Sequence, residues 1–332
     1  MIEIGLAATS GATQVYRVLH HPPSWGMPVA TYILKHGMEW VVIDSGWPGP
    51  HGQADWQAVA AQLDLRWQNL RRVVITHGHP DHIGQAQTLA DLSWLPVTVH
   101  GDVVEDLAYY GPKGPWSAGG KQRFLKLAAA EDLGSVRDPF ATAIKVPRSV
   151  RPFVPGETVE LGDCVLNTLL TPGHSAGHVC LIDSKQQFAI TADMVLPNYF
   201  TNIVSTMLEP ASQLQRYLGS LRTLEETGVE LMLPGHGEPM RRAEYRRRVA
   251  EVCEYFERQI DDLREALGEG EATLMQLASR LSFQGKPYAS LSPINRVTML
   301  GETLAYVQYL VAERGARAAM DDRTMELRCG RA

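Results

Sequence analysis

Four short stretches of this chain run apolar residues into side chains able to bind a metal, and together they offer seven such groups. Val73-Val74-Ile75-Thr76 leads into His77-Gly78-His79-Pro80-Asp81-His82, and Leu169-Leu170-Thr171-Pro172-Gly173 leads into His174. Ala189-Ile190-Thr191-Ala192 leads into Asp193, and Leu231-Met232-Leu233-Pro234-Gly235 leads into His236. Apolar or β-branched runs closed by Gly or Pro read as buried strands ending in loops. Neighbouring strand ends would aim these imidazoles and carboxylates at one point.

The run from His77 to His82 is the densest. His77 and His79 lie two apart after a strand, so in extended chain they point the same way. Asp81 and His82 fall at the start of the next helix and face elsewhere. One loop can therefore serve two metals, His77 and His79 on the first, Asp81 and His82 on the second. Imidazole nitrogen and carboxylate oxygen suit Zn²⁺ and related divalent ions. A single loop histidine is usually a surface residue, but three His and an Asp within six residues after a buried strand reverse that reading. His20, His21, His36, His51 and His100 have no such context.

These residues need a scaffold. Val15 to Leu19, Ala30 to Lys35 and Glu39 to Asp44 read as strands, with a tight turn at His36-Gly37-Met38. Ala54 to Asp64 and Ile83 to Leu92 read as helices, with strands at Val73 to Thr76 and Leu95 to His100. Thr158 to Leu161 with Cys164 to Leu170, and Val179 to Asp183 with Phe188 to Thr191, read as hairpins. A helix from Ser212 to Thr227 precedes a strand at Glu230 to Leu233. Strands in two groups with helices between them predict an α/β chain of two mixed sheets packed face to face. Residues 1–239 form this unit, with 107–152 as an insertion over the site.

From 240 to 332 the pattern turns helical. Val249, Val252, Phe256, Ile260, Leu263 and Leu267 recur at three and four, marking a long amphipathic helix. Thr273 and Gln276 make a capping box for a short helix through Leu281. Pro293 opens a third helix striped by Val297, Leu300, Leu304, Val307 and Val311, and Ala316 to Leu327 reads as a small hairpin. Three helices and a hairpin describe a small helical domain of winged-helix character. The basic run Arg241, Arg242, Arg246, Arg247 and Arg248 reads as a solvated helix face paired with Glu244, Glu251 and Glu254 rather than as a phosphate site.

The ordered set resembles the metallo-β-lactamase superfamily, over about the first 240 residues. The resemblance rests on His77-Gly78-His79-Pro80-Asp81-His82, Val42-Ile43-Asp44-Ser45-Gly46, Thr171-Pro172-Gly173-His174, Ala192-Asp193 and Leu233-Pro234-Gly235-His236-Gly237. It implies a four-layer αββα sandwich. It also implies a first metal held by His77, His79 and His174, and a second by Asp81, His82 and His236, with Asp193 bridging. Within the superfamily the chain is similar to the glyoxalase II-like and lactamase-β-like hydrolases that carry a C-terminal helical domain, because His follows Asp81 and the bridge is Asp rather than Cys. Two divalent ions are implied, Zn²⁺ foremost and Fe or Mn as alternatives. A water shared between two dications loses its proton near neutral pH, and this hydroxide would attack an acyl carbon or a phosphorus. Asp81 is the candidate catalytic residue, orienting the hydroxide or carrying a proton. Asp44 and His178 are candidates for the surrounding hydrogen-bond shell.

Substrate signals are sparser. Tyr109, Tyr110, Trp116, Phe124 and Phe140 in the insertion, and Asn198, Tyr199 and Phe200 after Asp193, either line a pocket over the metals or pack the loops against the body. At 332 residues, 45% hydrophobic and 20% charged, the chain has an ordinary globular composition. No run approaches the roughly 18 apolar residues of a membrane span. Unpaired cysteine spacing and a start at Met1-Ile2-Glu3-Ile4-Gly5, without a basic, long-apolar leader, predict a cytoplasmic protein. A net charge of −6 argues against a dedicated nucleic-acid binder. The expectation is a small-molecule hydrolase of an ester or acyl-thioester, with phosphodiester or single-strand RNA cleavage as the alternative and an iron-dependent redox enzyme as the alternative of another class. The helical tail is a surface on which a homodimer could form.

Overall fold

The computed structural model describes residues 2–22, 27–110, 116–136, 146–154, 156–185, 187–206, 212–268 and 270–332. Phe140, and the side chains of Tyr109, Tyr110 and Trp116, lie outside what is described.

The first sheet has seven strands in sequence order: β1 (Ile2–Ser10), β2 (Thr13–His20), β3 (Val29–His36), β4 (Glu39–Ile43), β5 (Leu70–Val74), β6 (Val97–Val99) and β7 (Val150–Pro152). The first four pair antiparallel, and β4 through β7 pair parallel. The second sheet comprises β8 (Thr158–Leu161), β9 (Cys164–Leu170), β10 (Val179–Asp183), β11 (Phe188–Ala192), β12 (Leu231–Pro234) and β13 (Met240–Arg241). Within it β9 and β11 both run antiparallel to β10, and β12 runs parallel to β11. Strands β9, β11 and β12 therefore share a direction, and their carboxyl ends share one rim.

Alternation along the strands explains the layering. In β4, Trp40 and Val42 enter one apolar cluster with Trp56 and Val59 of α1 (Gly52–Gln62) and Leu89 of α3 (Ala86–Ser93). Val41 and Ile43 point the other way and meet Leu181, Phe188, Ile190 and Leu233 of the second sheet. On that sheet Cys180, Ile182, Ala189 and Met232 face outward onto α6 (Gln213–Glu226) and α7 (Arg242–Leu267). Period-two side chains with both faces apolar require cover on both sides, and the result is helix, sheet, sheet, helix. The expected αββα sandwich is the observed one, with a C-terminal helical region behind it.

That region contains α8 (Leu274–Ala278), α9 (Pro293–Ala312), and the hairpin β17 (Ala316–Met320) and β18 (Leu327–Arg331). Strand β14 (Ala272–Thr273) pairs with β18, and β15 (Ser282–Phe283) pairs with β16 (Lys286–Pro287). The Thr273–Gln276 capping box is present, although the helix closes at Ala278 rather than Leu281. Leu300, Leu304 and Val307 of α9 join the same apolar cluster as Tyr217 of α6 and Phe256 of α7, so this region packs continuously onto the second sheet's helices.

Two other expectations change. The helix foreseen from Ile83 to Leu92 is broken into α2 (Pro80–Ile83) and α3. Gly84 between them is pressed so near Pro48 that a β-carbon would lie 2.3 Å from its nitrogen, and Gln85 N–H donates to Ser45 Oγ (3.0 Å). Strand β1 is an addition; its exposed edge carries too weak an alternation to read from sequence, with Ile2 and Ile4 packing on one apolar cluster and Ala7 and Ala8 on another.

Candidate metal centre

Each of the four stretches ends where the strand pattern places it. His77 follows β5 in the first sheet, while His174, Asp193 and His236 follow β9, β11 and β12 on the shared rim of the second. Hydrogen bonds close the two sheets here: Val179 N–H donates to Thr76 O (3.0 Å), Ala30 N–H to Gly235 O (2.7 Å), and Tyr32 Oη–H to Pro234 O (2.7 Å). Ala192 adopts a left-handed φ of 43°, which turns the chain at the end of β11 and delivers Asp193 inward. A non-glycine residue in that region is strained and persists only where its surroundings enforce it.

The structure brings all seven candidate residues together. His77, His79, His174 and Asp193 each offer a ligand atom within 4.8 Å of one another, and so do Asp81, His82 and His236. The Asp193 carboxylate stands between the groups. Its Oδ2 is 3.6 Å from Nε2 of His174 and 3.6 Å from Nε2 of His236, and its Oδ1 is 3.3 Å from Nε2 of His82. Asp81 Oδ2 lies 3.1 Å from His236 Nε2 and 4.0 Å from His82 Nε2.

The outer ring nitrogens of His77, His82, His174 and His236 are occupied. His174 Nδ1–H donates to Asn202 O (2.9 Å) and His236 Nδ1–H to Pro28 O (2.8 Å). His82 Nδ1–H donates to Asp44 Oδ2 (2.8 Å). Thr76 gives its hydroxyl proton to that same oxygen (2.9 Å), so its own oxygen accepts from His77 Nδ1–H (3.1 Å). A donor at Nδ1 leaves the Nε2 lone pair facing the centre. Among the described residues, Nε2 of His77, His82 and His174 and Oδ1 of Asp193 are buried without a hydrogen-bond partner. Buried polar atoms are almost always satisfied, and four unsatisfied, convergent acceptors fit a pair of cations.

The ionisation pattern agrees. Burial, then the neighbouring imidazoles, holds His77 well below its ordinary value; His79 falls to about 3 by burial and the nearby His174. Burial also lowers His174. These rings are neutral at pH 7, as ligands must be. At Asp193 burial favours the neutral acid, yet the surrounding His236 and His82 outweigh it and keep the group well below the carboxylate range. Burial opposes charge on His82 and His236, but Asp193 and Asp81 raise both, with Asp44 adding to the effect on His82. The carboxylates thus set up a field that draws positive charge into the centre.

Asp44 sits beneath the cluster at a left-handed φ of 63° and also accepts Thr76 N–H at 2.7 Å. His178 lies outside both ligand groups. Its ring is 5.0 Å from that of His77, its Nδ1 shares a hydrogen bond with Thr171 Oγ1 (2.8 Å), and its Nε2 is buried and unpartnered among the described residues. Asn198 and Tyr199 are exposed on the loop after Asp193, Tyr199 by 43%. Phe124 packs in the core, away from any such role.

The arginine run is solvated except at Arg248, which pairs with Glu251 (2.9 Å) as expected, but whose side chain is 11% exposed, donates to Leu196 O (2.8 Å) and Tyr199 O (2.7 Å), and sets its guanidinium over the Phe200 ring. Arg242 and Arg246 pair with Glu230 and Glu225, on other elements, rather than along their own helix. Sequence reasoning also missed Thr76, Gly235 and the carbonyls of Pro28 and Asn202. The threonine and the glycine flank the motifs and were legible as neighbours; a backbone carbonyl carries no residue-type signal.

The family described as the metallo-beta-lactamase superfamily matches residues 24–236. A probable metallo-hydrolase of Bacillus subtilis, YqjP, is 23% identical over 314 residues, 90% of this chain and 92% of the relative. An atrochrysone carboxyl ACP thioesterase of Aspergillus fumigatus is 26% identical over 209 residues; the match takes in 62% of this chain and spans only 50% of that relative's length. Among solved structures, a metallo-beta-lactamase family protein of Thermus thermophilus superposes with a TM-score of 0.77 at 21% identity, over 96% of this chain and 98% of that one. A beta-lactamase domain protein of Burkholderia ambifaria gives 0.77 at 23% identity, over 99% and 94%.

Proposed function

This chain belongs to the metallo-beta-lactamase superfamily, a superfamily of metal-dependent hydrolases, and on that premise we propose that it hydrolyses a small ester or acyl-thioester with two bound divalent ions, Zn²⁺ foremost. In this reading His77, His79 and His174 hold one ion, Asp81, His82 and His236 the other, and Asp193 spans them. The observation that carries it is the placement of the Asp193 carboxylate between the two ligand groups, facing the unpartnered Nε2 atoms of His77 and His174 on one side and of His82 on the other.

Two cations held there would supply a deprotonated water at neutral pH and polarise the acyl oxygen under attack. The chain's own residues do the rest. The carbonyls of Asn202 and Pro28 and the carboxylate of Asp44 fix ring orientation. Asp81 Oδ2, beside His236 Nε2, is positioned to carry a proton to the departing thiol or alcohol. Asp44 and His178 act from outside the ligand set. Asn198 and Tyr199 border the opening as walls for the acyl group. Residues 1–239 form the catalytic unit and 240–332 the helical domain.

The thioesterase name of the fungal relative supports the acyl-thioester class. Arg248 is turned inward and Arg242 and Arg246 are paired with Glu230 and Glu225, which supports a small molecule over nucleic acid, since a phosphate backbone needs free cations. Among the described residues no helix is long and apolar enough to cross a membrane, and all four cysteines are free, which suits a reducing compartment.

The test is metal analysis joined to a substrate panel. Protein purified without added metal is expected to carry close to two ions per chain and to prefer acyl-thioesters or p-nitrophenyl esters over bis-p-nitrophenyl phosphate and single-stranded RNA. A content of one ion or none, or a preference for the phosphodiesters, would overturn the reading.

A further inference from the structure

We propose that Gln284, in the C-terminal helical region, is a positioning residue for the metal centre, acting through Asn202 on His174. The inference rests on the proposed role of His174 as a ligand.

The loop that follows Asp193 carries Asn202, whose carbonyl accepts the Nδ1 proton of His174. That carbonyl sets the direction of the His174 lone pair, so the position of residues 200–203 matters to the centre. The catalytic half ties the start of this loop: Thr201 Oγ1–H donates to Asp193 O at 2.9 Å. Further tethers of residues 200–205 come from the C-terminal region. Gln284 Oε1 accepts Phe200 N–H (2.9 Å), and its Nε2 donates to Phe200 O (2.6 Å) and to Asn202 Oδ1 (3.3 Å). One amide thus closes both backbone groups of Phe200 and reaches Asn202 directly. Around it, the Phe200 ring stacks on Tyr255 of α7 at 3.9 Å with planes 5° apart. Ser205 N–H donates to Gly301 O of α9 (3.0 Å), where a β-carbon would lie 2.4 Å from Val204.

The backbone at Gln284 supplies an independent reason. It lies in the two-residue turn between β15 and β16, with φ 52° at Gln284 and 74° at Gly285. Two consecutive positive φ values define a turn that Asn-Gly or Gly-Gly fills with least strain. A glutamine there is a poor choice for the turn. Its side chain, used at both amide ends on the loop that supports His174, accounts for its presence.

The two roles separate by substitution. Gln284→Gly relieves the backbone and removes the amide. A residue serving only the turn would leave the variant as stable as wild type or more so, with metal binding unchanged. A positioning residue predicts a different pair of results: a melting temperature within a few degrees of wild type, and affinity for one of two metal equivalents weakened about three- to tenfold in competition with a chromophoric chelator. That is less than the roughly 10–100-fold loss expected on removing a direct partner of a ligand. The cobalt(II)-loaded variant should also show shifted d–d absorption, reporting altered imidazole geometry without reference to turnover. Gln284→Glu keeps the acceptor for Phe200 N–H but turns a carboxylate oxygen onto Phe200 O and Asn202 Oδ1, and should weaken metal affinity at least as much as Gln284→Gly. Wild-type affinity and spectrum in both variants would overturn the inference and leave the two-metal reading standing. Absence of metal from the wild-type protein itself would overturn both.

Discussion

Gly235 lies against Asp193 so closely that a β-carbon at 235 would come within 2.3 Å of Asp193 Oδ1. It would also come within 2.6 Å of His82 Cε1. No side chain fits between the end of β12 and the centre. Gly235→Ala should fold, at a cost of about 1–3 kcal/mol for overpacking, and should lose metal and at least about 100-fold in turnover, since misplacement near 1 Å costs that much. Metal content together with a denaturant melt checks this; a fully metallated, active variant would refute it.

Asp193→Ala removes the carboxylate that faces both ligand groups. Its expected outcome is loss of at least one ion per chain and nearly all turnover. Plasma emission analysis of dialysed protein is the measurement. Retention of both ions would show that Asp193 does not span them.

Asp44 accepts Thr76 N–H, the Thr76 hydroxyl proton and His82 Nδ1–H. Asp44→Asn keeps the shape but turns an amide donor onto one of these donors. The expected cost is about 1–3 kcal/mol in a urea melt for the unsatisfied group, and about 10–100-fold in metal affinity through His82. An unchanged chelator-competition curve would count against a supporting role for Asp44.

Glu302 of α9 is buried, accepts Ile203 N–H (3.4 Å) and Tyr306 Oη–H (3.2 Å), and is pushed up by burial from the ordinary 4.5 to about 8. The folded protein therefore holds a proton that the unfolded chain releases. The stability this gives is full below 4.5 and is lost as pH rises toward 8, with a slope of at most about 1.4 kcal/mol per pH unit. Glu302→Gln stays neutral throughout, so its stability relative to wild type should climb between pH 5 and pH 8, each value being set by urea melts. A difference flat across that range would refute the assignment.

The fold and the centre were legible to different depths. The loop at 77–82 announced itself because its candidate ligands crowd into six residues after an apolar strand. His174, Asp193 and His236 are ordinary residues singly; they became readable only as an ordered set at strand ends. The layering followed from period-two burial, as in Trp40–Val42 against Val41–Ile43. What stayed hidden depends on tertiary approach. Arg248 sits in a run of arginines that looks solvated, and only the return of the 196–200 loop onto α7 buries it. Pro28 and Asn202 contribute carbonyls, which every residue has. The Gly84 break reflects the nearness of Pro48, far off in the chain.

The bonds from Val179 to Thr76 and from Ala30 to Gly235 have a kinetic consequence. They join chain segments more than a hundred residues apart, so they close only after each half has its strands in register and the halves dock, a non-local step that is slow in refolding. The candidate metal centre is then among the last parts of the molecule to mature. During refolding, circular dichroism should recover ahead of activity, and the interval between them measures the docking of the halves.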